Sequence, residues 1–362
     1  MDNLLIVAKQ VAILFLLMGV GFFCRRRKIL DDSSSKGIVD VLILFVTPMV
    51  IVDAFLRPFD PAMMKGLGVA FGAAVLAHVV LISLACLLVR HWADGTRRVL
   101  RIAAVFSNAG FMGIPLEQAI LGDRGVFFGT AYIVVFNLFI WSWGYGVMKN
   151  EKCRMKNEEC GGKDVECRVK NEECGGKDVE CRMRNEECRV KNEVFHIIHY
   201  SLFIIHSLVR SPKFLNPGTV GLMLGMIGFL LPWGVPEVIR TPIHSMAAMN
   251  TPLAMIVIGY YLAGAKLGPV LRMRSAHVSA AMRLVVAPLL MTAALFPFRH
   301  ALDRDMMLAL VIASAAPVAA MVSMFAAKFG RDVDASVGLV SGTTILSIVT
   351  MPPVVALAMS IL

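Results

Sequence analysis

Charged residues are scarce in this chain, making up 17% of its 362 residues, whereas hydrophobic residues make up 57%. A soluble domain must cover its surface with polar side chains, so this balance excludes an ordinary soluble protein. The few charged residues are concentrated in one segment, because residues 149–193 alone hold twelve Lys/Arg and twelve Asp/Glu. That segment has no net charge, so the formal net charge of +10 belongs to the apolar remainder.

Motifs for common enzyme chemistry are also missing. The chain has no G-x-x-x-x-G-K-[ST] phosphate loop, no H-E-x-x-H helix and no G-x-S-x-G nucleophile turn. We therefore expect no catalytic site. The basic residues flank apolar runs instead of clustering with aromatic residues, so nucleic acid is not an expected partner.

What the sequence does contain is a set of ten apolar runs of a length that crosses a bilayer. The first has no visible cleavage site and is followed by "CRRRK", so we interpret it as a retained helix, not a signal peptide. The predicted spans are 4–23, 37–56, 67–89, 99–121, 126–148, 216–233, 241–264, 276–297, 306–327 and 333–359.

Basic residues between the spans predict the orientation. Sixteen Lys/Arg flank the spans on one side and seven on the other, leaving residues 149–193 out of the count. The side rich in Lys and Arg faces the cytoplasm. We expect a multi-pass protein of the cell (inner) membrane, with both termini outside and the loop after span 5 inside.

Each half has five spans, and because this number is odd, the two halves must have opposite orientations in the membrane. Prolines recur at matching places in the two halves. Thr47-Pro48 matches Thr251-Pro252, and Pro115 matches Pro317. Broken helices at matching positions of inverted halves are typical of secondary transporters. We predict an all-α integral membrane protein with ten helices in two inverted five-helix repeats, residues 1–148 and 213–362, with broken, crossing spans 4 and 9.

Span 4 carries the stronger signal for a break. Pro115 removes a backbone donor, and Gly110 and Gly113 lower the cost of leaving the helix. Asn108 stands at the edge of this stretch, where its amide can both donate and accept. The alternative is a proline kink with an ordinary structural Asn. Broken helices have N-terminal ends with partial positive charge, so we expect them to bind a carboxylate without a buried arginine.

At these residues the sequence resembles the auxin efflux carrier family. The similar segments are "NAGFMGIPL" (108–116), "MNTPLAMIVIG" (249–259), "AAPVAAMVSMFAAKFGRDVDAS" (315–336) and "TTILSIVTMP" (343–352). The resemblance implies ten helices, a crossover at the membrane centre, elevator-like alternating access and an anionic carboxylate substrate. By matching position it places Asn108 and Pro115 in one arm and Pro317 in the other, with Thr47-Pro48 and Asn250–Pro252 flanking the substrate.

Ionisable residues within spans are functional candidates by default. Glu117 and Asp53 lie toward the outer ends of spans 4 and 2, where the alternative is contact with water. His78 is in the middle of span 3, where we expect a hydrogen-bonded packing residue. The predicted substrate-binding set is Asn108, Gly110, Gly113, Pro115, Thr47, Pro48, Asn250, Thr251, Pro252, Pro317 and Glu117.

The cysteine repeat matches nothing in that family. Six of the eight cysteines recur every seven residues from Cys153 to Cys188, so the C-x(2–4)-C spacing of zinc sites is absent. Gly-Gly pairs interrupt any helix there, and we predict that residues 149–212 are a cytoplasmic insertion with a disordered repeat and an interfacial segment. No metal site is expected.

These observations together predict a secondary active transporter for a small organic anion such as a mono- or dicarboxylate. A channel or a receptor-like membrane protein with the same bundle is the alternative. No cofactor is expected, and coupling to protons or to sodium stays open. The expected partners are the organic anion and the lipid bilayer, with a homodimer as an open alternative to a monomer.

Overall fold

The computed structural model describes residues 2–89, 94–148, 217–230, 235–265, 268 and 272–362. Within these ranges the chain is helical, and its one β-type contact is an isolated bridge. The helices are α1 (Asp2–Arg26), α2 (Asp32–Phe55), α3 (Pro61–Leu88), α4 (Asp94–Val105), α5 (Ala109–Met148), α6 (Pro217–Leu230), α7 (Glu237–Gly264), α8 (Arg274–Phe298), α9 (Arg304–Ala315), α10 (Met321–Lys328) and α11 (Val333–Ile361). The predicted insertion, residues 149–212, lies outside the described residues.

The helices are apolar enough to confirm the all-helical membrane class. Among the described residues, seven are long and apolar enough to cross a bilayer: α1, α2, α3, α5, α7, α8 and α11. The predicted number of ten is not confirmed by this count. Helix α6 has 14 residues, and predicted spans 4 and 9 are each divided into shorter pieces.

Helix α5 joins the end of predicted span 4 to predicted span 5. Its 40 residues would extend about 60 Å if straight, twice the thickness of a hydrocarbon core of about 30 Å. The helix is interrupted at Gly122, where φ is 64°. This left-handed conformation is one that glycine adopts without steric cost. The boundary predicted between the two spans therefore corresponds to a sharp break at Gly122.

A π-helical turn precedes a proline in three helices. The turns are Leu42–Val46 in α2, Ala109–Gly113 in α5 and Met282–Val286 in α8, and each ends two residues before a proline. A proline cannot donate a hydrogen bond, and its ring crowds the carbonyl four residues back. The wider turn accommodates the proline without ending the helix.

Glycines allow close helix contacts within one group of helices, α1, α2, α6 and α7. A methyl group at Gly21 would overlap the Ile256 carbonyl of α7, and one at Gly259 would overlap the Met18 carbonyl of α1. Helix α6 approaches α2 in the same way, because Gly221 lies against the backbone of Pro48. Small residues at such positions allow the backbones of membrane helices to pack directly.

Replacing Gly259 with alanine should therefore destabilise the protein. The added methyl must push α1 and α7 apart, at a cost of about 1–3 kcal/mol for overpacking. Thermal unfolding in detergent, followed by loss of the monodisperse chromatographic peak, measures the effect. Gly19→Ala is the matched control, since nothing lies within 4 Å of a methyl there. Equal midpoints for the two variants would contradict this account.

Candidate functional site: the helix crossover

The site forms where two interrupted helices meet. The helical conformation stops at residues 106–108, between α4 and α5, and again at residues 316–320, between α9 and α10. Both extended stretches are buried within the protein. Pro317 lies in the second break. Pro115 does not lie in the first break, because it is inside α5, two residues after the π turn Ala109–Gly113.

The two extended stretches satisfy each other's backbone hydrogen bonds. The amide of Asn108 donates to the carbonyl of Pro317 at 2.7 Å, and the amide of Ala319 donates to the carbonyl of Phe106 at 3.0 Å. Ser107 and Val318 thus form an antiparallel bridge. Non-helical backbone at membrane depth must find such partners, because no water is available there.

Helix α11 supplies a further partner. The amide of Val318 donates to Oγ1 of Thr343 at 3.1 Å, and this hydroxyl in turn donates to the carbonyl of Leu339 at 2.7 Å. Thr343 is fully buried. The hydroxyl group therefore connects the crossover to α11 by a two-step hydrogen-bonded chain.

A buried arginine also lies at the crossover. Arg283, in α8, is fully buried and donates from Nη1 to the carbonyl of Val105 at 2.6 Å and from Nη2 to the carbonyl of Ser314. No arginine at the crossover was predicted from the sequence, and the binding of a carboxylate at the N-terminal ends without an arginine stays a prediction. The guanidinium comes from a different helix and contacts the C-terminal ends of α4 and α9, not the N-terminal ends.

Two asparagines lie on the α7 side of the crossover. Asn108 immediately precedes the first turn of α5, is 6% exposed, and its side chain has no hydrogen-bond partner among the described residues. Asn250, from α7, donates through Nδ2 to the carbonyl of Gly110 at 3.2 Å, while its Oδ1 is buried without a partner. A methyl at Gly110 would meet open space. The structure thus brings Asn108, Gly110 and Asn250 together around unsatisfied polar atoms.

The other predicted site residues vary in how closely they approach this place. Gly113 packs against Ala313 of α9, behind the crossover. Pro48 is buried against α6, and the hydroxyl of Thr47 donates to the carbonyl of Leu42 in its own helix. Thr251 is half-buried and Pro252 is exposed. The amide of Gly113 donates to the carbonyl of Asn108 at 3.3 Å, whereas Thr47, Pro48, Thr251 and Pro252 show no hydrogen bond with Asn108 in the described residues.

Comparison with known proteins decides the family. A model of the membrane transport protein family matches residues 6–355, nearly the whole chain. The chain belongs to the auxin efflux carrier family. This is a family of transporters, not of enzymes, and its match with the apolar helices makes the chain a multi-pass membrane transport protein. No curated protein matches the chain.

Glu117 is placed differently from the sequence-based alternative of contact with water. In this auxin efflux carrier family member its side chain is fully buried, and neither carboxyl oxygen has a hydrogen-bond partner. It lies against Gly129 further along α5, so closely that a methyl there would overlap the carboxyl group. Gly129 provides the space that an unbranched acid needs in the interior.

The remaining ionisable candidates have ordinary partners. Nδ1 of His244 lies 3.0 Å from Oδ2 of Asp53, an ion pair that connects α7 with α2. His78 is buried, with Nδ1 2.8 Å from the carbonyl of Ala74 and its ring stacked on Phe139. Its predicted role in packing agrees with these contacts. In the described ranges no three metal-ligating side chains come together, and the cysteine repeat lies outside them.

Two residues of the crossover, Arg283 and Thr343, were not predicted from the sequence. Arg283 had a readable signal, because a charged residue in the middle of predicted span 8 is a functional candidate. Thr343 had none, since a threonine in an apolar helix usually donates to its own backbone. Its role as the acceptor for the Val318 amide depends on a residue 25 positions away in the sequence.

Replacing Thr343 with valine should weaken the crossover. The change keeps the shape of the side chain but leaves the Val318 amide buried without an acceptor, at a cost of about 1–3 kcal/mol. The thermal midpoint should fall for Thr343→Val and recover for Thr343→Ser. Thr350→Val is the control on the same helix, because the Thr350 hydroxyl donates only to Leu346 in the described residues. A loss as large in the control would remove the special role of Thr343.

Proposed function

We propose that this membrane transport protein is a secondary active transporter that moves a small organic anion by alternating access. The observation that carries the proposal is the paired break of two helices beside unsatisfied polar groups. The first amides of α5 have no acceptors within their own helix, and such ends carry about half a positive charge. A carboxylate is the ligand that suits them.

The side chains around this end support a specific mode of binding. The side-chain amide of Asn108 is free to donate to a carboxylate oxygen, and the space beside Gly110 lies next to it. Oδ1 of Asn250 is an acceptor without a donor. An organic anion with a hydroxyl or N–H group near its carboxylate would use both, so we propose this substrate class.

A movement between two helix groups is consistent with the packing. Close glycine contacts join α1 to α7 and α6 to α2, whereas the crossover belongs to α4, α5, α9 and α10 with support from α8 and α11. The hydrogen bond from Asn250 to Gly110 connects the two groups. We propose that the crossover group moves against the other, carrying the anion, in the manner of an elevator.

Ten crossings in two inverted repeats remain our proposal for the topology. The break at Gly122 divides α5 into two arms, and the crossover joins α4 to the first arm and α9 to α10. The basic loops support an orientation with both termini outside and residues 149–212 in the cytoplasm. We keep the homodimer as a second assembly beside the monomer.

Replacing Asn108 with alanine tests the anion site. Loss of a donor to a charged ligand should cost about 1.5–3 kcal/mol, or about 10- to 150-fold in affinity. Thermal-shift titration of the purified protein with a panel of mono- and dicarboxylates provides the affinity, and flux of the best ligand into liposomes provides transport. Asn137→Ala is the control, because that amide donates to its own helix.

Wild-type affinity in Asn108→Ala would place the anion elsewhere. Flux that saturates and is stimulated by anion on the opposite side supports a carrier, whereas ohmic conductance would instead favour the channel.

Glu117 leads us to propose that the coupling ion is a proton. An unpaired carboxylate is very costly to bury, whereas the neutral acid is much less so. We propose that Glu117 is protonated while enclosed and releases its proton when the moving helices expose it. Among the described residues no titratable side chain forms a hydrogen bond or an ion pair with Glu117.

The variant Glu117→Gln should separate coupling from transport. Glutamine mimics the protonated acid permanently, so exchange of anion across the membrane should persist while acceleration by an imposed pH gradient disappears. Both are measured in proteoliposomes. Glu237→Gln, which alters an exposed acid at the start of α7, should behave like the wild type. An undiminished response of Glu117→Gln to the gradient would reject Glu117 as the proton carrier.

A further inference from the structure

Arg283 is a buried cation that donates to two backbone carbonyls and also lies beside the hydroxyl of Tyr132. It lies in the π turn Met282–Val286 of α8, and among the described residues no acidic side chain pairs with it. It donates to the carbonyls of Val105, the last residue of α4, and of Ser314, one residue before the end of α9. One guanidinium therefore bridges the C-terminal ends of both broken helices.

These ends are the natural partner of a cation. The last carbonyls of a helix lack donors within it, and each helix C-terminus carries about half a negative charge. Two such ends together offset about one positive charge. The balance explains how Arg283 is buried without a carboxylate, since a buried charge must otherwise be paired.

In transporters with broken helices, half-helix C-terminal ends and unwound carbonyls can instead coordinate a transported cation such as Na⁺. Here the carbonyls of Val105 and Ser314 already accept hydrogen bonds from Arg283. A sodium ion at that point would have to compete with a covalently attached guanidinium for the same oxygens.

We propose that Arg283 is the fixed internal cation of the crossover and that transport consequently requires no sodium. This inference rests on the proposed transport function and deepens it by naming the group that replaces a mobile cation. Arg283 acts as a positioning residue, because it holds α4 and α9 at the crossover and does not contact the anion site beside Asn108.

The first measurement is the sodium dependence of the wild type. Proteoliposomes are assayed for uptake of radiolabelled lactate and succinate in sodium chloride and in choline chloride of equal concentration. Equal rates are expected, and a saturable requirement for sodium overturns the inference. If neither acid, nor any other of the panel, is transported, the proposed function fails, and the next measurement tests Arg283 without any substrate.

The second measurement is chemical rescue. Arg283→Ala should unfold at a lower temperature than the wild type, because two helix ends lose their donors. Low-millimolar guanidinium should raise its midpoint, while equal concentrations of sodium or choline should not. Stabilisation by sodium as strong as that by guanidinium overturns the inference. Arg299→Ala, at an exposed arginine after the same helix, should show no rescue.

The third measurement keeps the test independent of folding in the alanine variant. Arg283→Lys retains the charge and should remain folded, with uptake reduced by about tenfold through loss of one charged hydrogen bond. Arg283→Met removes the charge at similar length and should lose uptake altogether. Sodium-free uptake by Arg283→Met at the wild-type rate would show that the crossover needs no fixed cation.

Discussion

Backbone groups that leave a helix inside a membrane must be hydrogen-bonded within the protein, and this constraint shapes the centre of the molecule. Opening α4 and α9 at their ends exposes amides and carbonyls that neither helix can satisfy alone. Each break supplies the partner for the other, through Asn108 with Pro317 and Ala319 with Phe106. A single broken helix would be costly, whereas a crossed pair is nearly complete.

What the pair leaves unsatisfied is taken up by neighbouring helices. The amide of Val318 finds Thr343 on α11, and the carbonyls of Val105 and Ser314 find Arg283 on α8. On the side that faces α7 the polar groups lack such partners, because the side chain of Asn108 and Oδ1 of Asn250 have no hydrogen-bond partner among the described residues. The polar groups on one side of the crossover are thus hydrogen-bonded, whereas those on the side of α7 are not. Only the side of α7 has free hydrogen-bonding groups that a ligand can bind.

The sequence analysis predicted the local features and missed most of the distant ones. Pro115 and its neighbouring glycines correctly indicated an irregular stretch, because their backbone preferences act within a few residues, but they lie in the π turn and helix that follow the break at residues 106–108. The partner across the break depends on which distant helix faces it, and hydropathy contains no such information. Arg283 and Glu117 show the same limit, since a window average over an apolar span hides a single charge and cannot tell whether it faces lipid, water or protein.

Span lengths show a related effect. An apolar run predicts a crossing when it is one straight helix, so α1, α3 and α11 were predicted closely. Hydropathy alone would fit continuous helices for spans 4 and 9, whereas their prolines predicted that they are broken, and each is divided at the crossover.

The contact between Glu117 and Gly129 has a consequence for how this chain can change. The two positions share one small volume, so the side chain allowed at one depends on the side chain present at the other. A mutation that enlarges residue 129 must be accompanied by a shift or a shortening of the side chain at residue 117, and a shortened residue 117 leaves room that residue 129 can fill. Substitutions at the two positions are therefore expected to be coupled.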